Sequence, residues 1–191
     1  MAQVASSTVT LDVIGQRSEP SPSPRLVIVQ ALAKGERAED AVEVMTEVGV
    51  DEIVPWAAAR SIARWDGPRG EKALARWRAT AREAGKQSRR AWLPVVTDLT
   101  STREVCSRLQ AASLGVVLHE SAPTPLAGLA VPPAGEVVVV VGPEGGISEE
   151  ELATFETAGA LAYRLGSSVL RTSTAGVAAS AVLLAASGRW G

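Results

Sequence analysis

The stretch Val137–Leu152, VVVVVGPEGGISEEEL, constrains the fold more than any other part of the chain. A strand with one wet face alternates apolar and polar residues, whereas five consecutive valines leave no polar face. Such a strand needs cover on both sides, and mostly parallel sheets with helices packed on each face provide it. A glycine-rich turn follows directly. Ser148, with Glu151 three residues on, is the signature of a capped helix start. Open sheets of this class bind ligands in the loops at the carboxyl ends of their strands.

The rest of the sequence supplies neighbours for that strand. Apolar runs at 25–32, 51–57, 92–96, 115–120 and 161–165 read as five further strands. Helical spacing occupies 39–48, 71–90, 102–113, 148–158 and 174–187, with Gly49, Gly115 and Gly159 standing as stops. Strands that alternate with helices predict an α/β domain over 25–191, with a mostly parallel sheet covered on both faces. The chain has 191 residues, of which 46% are hydrophobic, enough for one sizeable core. Residues 1–24 read differently. Thr8–Ile14 has strand character, and RSEPSPSPR, residues 17–25, reads as an extended Pro/Ser-rich linker. One strand cannot bury itself, so this segment is expected to pair elsewhere or to be the remnant of a further domain.

The turn Gly142-Pro143-Glu144-Gly145-Gly146 is not a phosphate loop. It has no Gly-Lys-Ser/Thr, its glycines lack the GxGxxG spacing, and Glu144 at the tip would repel a pyrophosphate. It suits a cationic ligand, or a neutral one rich in donors; the alternative is a plain tight strand-to-helix turn. Two other loops fall at predicted strand ends: the one after Leu118, with His119, and the one after Leu165. The latter reads GSSVLRTSTA, with Arg171 beside three hydroxyls at an expected helix start. Its structural reading is N-capping by Thr172, Ser173 or Thr174; its functional reading is an anion contact at Arg171.

Charge is unevenly spread. The net charge is −2, yet between Arg60 and Arg90 ten Lys/Arg face three acids. A local basic patch on an acidic chain points to nucleic acid, and the alternative is a solvated helix face. A single cysteine, Cys106, allows no internal disulfide and fits a reducing, cytoplasmic setting. No CxxC pair or His/Cys cluster offers a metal site. The apolar stretch at 175–186 is too short to cross a bilayer, and no signal peptide is apparent. His119 is the only histidine, so a Ser/His/Asp arrangement has no support beyond one residue.

Five motifs occur in order: GVDEIVPWAAARS, KQSRRAWLP, VVLHE, VGPEGGISEEEL and LGSSVLRTSTA. Together they resemble the RsmE-type ribosomal RNA methyltransferases of the SPOUT superfamily, over roughly Leu26 to the C-terminus. The resemblance implies a SPOUT-type α/β-knot, in which the C-terminal segment threads a loop to form a deep trefoil knot. It also implies a homodimer, S-adenosylmethionine as cofactor, and methylation of N3 of a uridine in 16S rRNA of the small subunit. In that family a PUA-like barrel precedes the catalytic domain, where this chain has residues 1–24. The family often has Glu where Ser173 stands, and EQSGR where this chain reads KQSRR.

On this resemblance, the cofactor contacts are expected at Leu118 and His119, at Gly142, Pro143, Glu144 and Gly145, and at Leu165, Gly166, Ser167, Leu170 and Thr172. Arg171 and Glu144 are the expected catalytic residues, with Arg171 stabilising charge on the uracil and Glu144 facing the sulfonium. Lys34, Arg60, Arg64, Gln87, Arg89 and Arg90 are expected to touch RNA. No metal is expected. The alternatives are a knotted methyltransferase acting elsewhere on RNA, a non-catalytic RNA-binding or assembly protein, and a generic nucleotide-binding fold.

Overall fold

The computed structural model describes residues 3–5, 8–35 and 37–190. Its main body is a six-stranded sheet built from β3 (Arg25–Ala31), β4 (Glu52–Trp56), β5 (Val95–Val96), β6 (Leu114–Leu118), β7 (Glu136–Val141) and β8 (Leu161–Tyr163). The strand order is β5-β4-β3-β7-β6-β8, and every pairing in it is parallel. The valine strand β7 is therefore central, between β3 and β6, with Val138 opposite Val27 and Val140 opposite Val29.

Its valines divide as the two-sided reading requires. Val137, Val139 and Val141 enter one core with Met45, Trp77, Leu183 and Leu184. These partners come from α1 (Arg37–Val48), α2 (Gly67–Gln87) and α5 (Thr172–Ala186). Val138 and Val140 enter the other core with Val105, Leu109 and Phe155, which come from α3 (Thr102–Ala111) and α4 (Glu149–Thr157). All five valines are at most 1% exposed, and burying each side chain contributes roughly 1.5–3 kcal/mol.

The element boundaries depart from the sequence expectation in instructive ways. Gly115 does not stop α3. It lies inside β6, where an added Cβ would stand 3.1 Å from Ala160 Cα, so the glycine permits close packing there. Helix α2 begins at Gly67, with Pro68 in its first turn, and ends at Gln87. The expected strand at 8–14 ends at Thr10: β2 (Thr8–Thr10) pairs antiparallel with β1 (Gln3–Ala5) in a separate two-stranded sheet. The following residues through Pro22 have no regular structure, and Leu11, Val13 and Ile14 are exposed.

The amino end of the sheet is tied by ion pairs. Asp51, just before β4, accepts from Leu26 N–H at 2.8 Å and holds Arg189 through both oxygens, at 2.6 and 3.1 Å. It also takes Arg90 Nη2 at 3.3 Å. A second cluster joins Arg25, Glu52, Arg108 and Glu136 at the starts of β3, β4 and β7. These contacts fasten the chain after α5, through Arg189, and α3, through Arg108, to the strand starts, opposite the end where the loops gather.

Candidate functional site

Three loops meet at the carboxyl ends of β6, β7 and β8. They enclose a cavity of about 650 Å³, lined by Leu118, His119, Val141 to Ile147, Tyr163 to Gly166 and Ser168 to Ser173, with Arg37 and Arg60 on its margin. The volume falls in the range of small-molecule sites, roughly 300–1,000 Å³. The topology explains its place. From β3 the chain moves outward through β4 and β5, crosses to β6, returns to β7 beside β3, and leaves again to β8. The parallel strands β6, β7 and β8 thus present their carboxyl ends, and the loops that follow, on one side.

The glycine turn forms one wall. Gly146 N–H closes it onto Pro143 O at 2.9 Å, and Gly146 has φ +72°, in the left-handed region that favours glycine. A Cβ on Gly142 would stand 2.7 Å from Ile147 Cγ1, so Ile147 packs against the bare backbone. Two neighbouring loops clamp the tip. Lys34 N–H donates to Glu144 Oε1 at 3.2 Å, and Arg60 Nη1 donates to Gly145 O at 3.3 Å. Glu144 is thus partly committed to the β3–α1 connection, while its carboxylate still lines the cavity margin.

The loop after β6 is stitched to the chain after β8. His119 N–H donates to Tyr163 O at 2.9 Å, and Leu126 N–H to Arg164 O at 2.8 Å. The His119 Nδ1 accepts Ser121 N–H at 3.3 Å, which leaves its Nε2 as the donor of the ring. From Arg164 the chain returns over the cavity to α5, which packs on β3, β7 and α1. The expected hydroxyl cap of α5 is not used. Arg171 itself occupies the cap position without a side-chain cap bond, and its carbonyl accepts Thr174 and Ala175 N–H, both at 2.9 Å. Its guanidinium, exposed beside the cavity, has no hydrogen-bond or ion-pair partner among the described residues.

The structure gathers nearly all the expected small-ligand residues in this one cavity. Ser167 is the exception, since the lining passes from Gly166 to Ser168. Ser173, in place of the acid common in the resembled family, is also on the lining. Sequence reasoning missed Arg37, Tyr163 and Arg164, which no local motif marks. Arg164 is held by the carbonyls of Ala122 and Pro123, so it braces the loop.

The expected RNA residues do not share one face. Lys34, Arg60 and Arg64 lie in loops at the cavity end and are exposed. Helix α2 runs back along the sheet from β4 to β5, so Gln87 and Arg89 stand at the opposite end. Arg90 is engaged within the fold. Its side chain is 11% exposed, and its guanidinium donates to Thr46 O at 3.0 Å, to Val50 O and to Asp51. Burial pushes this guanidinium below the ordinary arginine range, against the opposing pull of Asp51. Arg90 belongs to the ion-pair cluster of the fold.

The fold and cavity define a parallel α/β protein that would hold a small ligand by main chain and apolar contacts at its strand ends. A family model described as an RNA methyltransferase domain matches residues 19–184. The ribosomal RNA small subunit methyltransferase E of Mycobacterium bovis is 45% identical over 182 residues, 93% of this chain and 70% of that protein. A crystal structure of the ribosomal RNA small subunit methyltransferase E of Neisseria gonorrhoeae, bound to S-adenosyl methionine, superposes with a TM-score of 0.78 at 30% identity, over 85% of this chain and 66% of that one. A putative methyltransferase from Legionella pneumophila, in complex with the same cofactor, gives 0.79 at 31% identity, over 86% and 67%. This chain belongs to the RNA methyltransferase family, within its ribosomal RNA small subunit methyltransferase E branch.

Proposed function

We propose that this protein is an S-adenosylmethionine-dependent methyltransferase that acts on N3 of a specific uridine in the 16S rRNA of the small ribosomal subunit. The observation that carries this reading is the cavity at the ends of β6, β7 and β8, with glycine-lined walls and an acid where a phosphate loop would need a cation. The relatives support it, since they are small-subunit rRNA methyltransferases and two similar structures hold the cofactor.

The residues present fit the cofactor. Leu118, Leu165 and Leu170 offer apolar contacts, the main chain at Gly142, Pro143, Gly145, Gly166 and Thr172 offers donors and acceptors, and His119 lines the same wall. Glu144 favours positive charge at the margin. When bound, the cofactor supplies a methyl group on a sulfonium, reactive enough that positioning provides much of the rate. Uracil N3 is mostly protonated at neutral pH, so its proton must leave before the nitrogen attacks. Arg171, a cation on the lining with no partner among the described residues, would stabilise the negative charge then spread over the base oxygens. Lys34, Arg60, Arg64 and Arg89 would contact the RNA backbone, with the target base unstacked to reach the cavity. We further propose a homodimer in the cytoplasm, with the exposed Val169 and Leu170 beside the cavity facing the partner protomer. The returning segment 165–171 would thread a loop to make the trefoil knot.

Calorimetry on the purified chain is expected to show cofactor binding, abolished by Gly142→Val because branched bulk would collide with Ile147. Incubation with unmethylated small subunits should yield uridine methylated at N3 on nucleoside analysis. Absence of binding overturns the cofactor assignment, and a methylated ribose overturns the target.

A further inference from the structure

The protein carries two helix caps of the same local sequence type, and only one of them does more than cap. In α3, Glu104 bonds Ser101 alone among the described residues, and it is exposed. In α4, Glu151 makes the same local box through one oxygen: Oε2 accepts Ser148 N–H at 3.1 Å and Ser148 Oγ–H at 3.0 Å. Its other oxygen reaches out of the helix. Oε1 accepts Ala59 N–H at 2.8 Å and Thr102 Oγ–H at 3.3 Å, and Thr102 Oγ in turn accepts Trp56 Nε1–H at 3.1 Å. Glu151 is 5% exposed. A helix start needs none of these distant partners.

What they hold is the loop that carries Arg60. Ala59, fixed by Glu151, is next to Arg60, whose guanidinium donates to Gly145 O. The backbone there is pressed against the glycine turn, since a Cβ on Gly145 would stand 3.2 Å from Arg60 Cβ and 3.3 Å from Arg60 O. Gly145, Arg60, Ala59, Glu151 and Ser148 thus form a closed circuit around the turn that walls the cavity. Every link is a hydrogen bond, a packed contact or a short run of chain, so the turn cannot move without breaking one. A buried carboxylate that accepts from Ser148, Ala59 and Thr102 together is costly to disturb.

We propose that Glu151 is a positioning residue for the cofactor site, acting through Arg60 and not through the substrate. Its Oε1 sets the Arg60 loop against Gly145 and so preorganises the cavity wall. The inference rests on the cofactor reading and extends it to a residue that does not line the cavity.

The test is a double-mutant cycle read by calorimetric titration with S-adenosylmethionine, together with amide exchange at Ala59. Glu151→Met, which leaves Ala59 N–H and Thr102 Oγ–H without their acceptor, is expected to weaken the cofactor about tenfold. It should also strip protection from Ala59. Arg60→Ala is expected to weaken the cofactor by a similar factor, and the double variant no further than the weaker single one. Ser148→Ala removes the hydroxyl bonds of the cap but keeps the Ser148 N–H bond to Glu151 Oε2 that closes the circuit; it should lower the melting temperature while leaving cofactor affinity and Ala59 protection unchanged. Additive losses, full affinity in Glu151→Met, or full Ala59 protection in Glu151→Met overturns the proposal. If Glu151→Met does not fold, Thr102→Val, which removes one donor from the same oxygen, should move both readouts in the same direction, and no movement overturns the proposal. A wild-type chain that binds no cofactor defeats the cofactor reading, while Ala59 exchange still decides the tie.

Discussion

The two ends of the sheet treat charge in opposite ways. At the amino end, Arg25, Arg90, Arg108 and Arg189 are all engaged by Asp51, Glu52 or Glu136, and the three acids sit at or beside strand starts. At the carboxyl end, Arg37 and Arg171 line the cavity without a side-chain partner among the described residues, and Arg60 bonds only a carbonyl. Charges that answer one another stabilise a fold and offer nothing to a ligand. Charges left open cost the fold little when exposed and are free to meet a substrate. One end reads as a fastening and the other as a site.

The strongest challenge to this contrast is Asp51→Asn. Asp51 is the shared anion for Arg90 and Arg189 and also accepts Leu26 N–H. Neutralising it leaves two half-sequestered guanidinium groups facing each other, and breaking a buried pair from one side costs roughly 3–5 kcal/mol. For a chain of this length the melting temperature should drop on the order of 10 °C. Thermal unfolding measures it. If the loss is under about 1 kcal/mol, typical of surface pairs, the amino end is not a fastening.

The matching change at the other end is Arg171→Ala. Its side chain makes no bond among the described residues, so the melting temperature should stay put, while kcat should fall by about 10²–10³, the usual effect of losing one charge-stabilising group. KM for the RNA should change far less, since the interaction is made with charge that develops during the reaction. A variant that loses stability instead of rate would place Arg171 with the fastening charges and erase the contrast.

How much of this could be read from letters alone depends on how local the deciding contact is. Five valines announce a strand covered on both sides, because an apolar run without alternation has no face to give to water. The three ligand loops follow from the same argument, since parallel strands present their carboxyl ends together. The misplaced residues are those whose roles are set by partners far along the chain. Arg89 and Arg90 are the same letter side by side, yet one is exposed and the other is locked by Val50 and Asp51, with Arg189 on the same acid. Ser101/Glu104 and Ser148/Glu151 are one motif twice, and only tertiary contacts separate a cap from a brace. Thr172 to Thr174 look like caps for α5, but the chain enters the helix one residue earlier, at Arg171.

Arg89 yields the smallest and most pointed prediction. It is the one described non-glycine residue with positive φ, +55°, just past the end of α2 where the resembled family often has glycine. A side chain in that conformation costs about 1–2 kcal/mol, and replacing it with glycine returns part of the gain as chain entropy, about 0.4–1 kcal/mol. Arg89→Gly should therefore stabilise the fold by about 0.6–1 kcal/mol, measured by chemical denaturation, which is the difference of those two terms. If the exposed guanidinium meets an RNA phosphate, the same change should weaken RNA binding and lower its salt slope by about one. Opposite signs in the two measurements would mean that a cation is kept at this end, against backbone preference, for a ligand. A gain in stability with an unchanged salt slope would remove Arg89 from the RNA face and leave the amino end wholly to the fold.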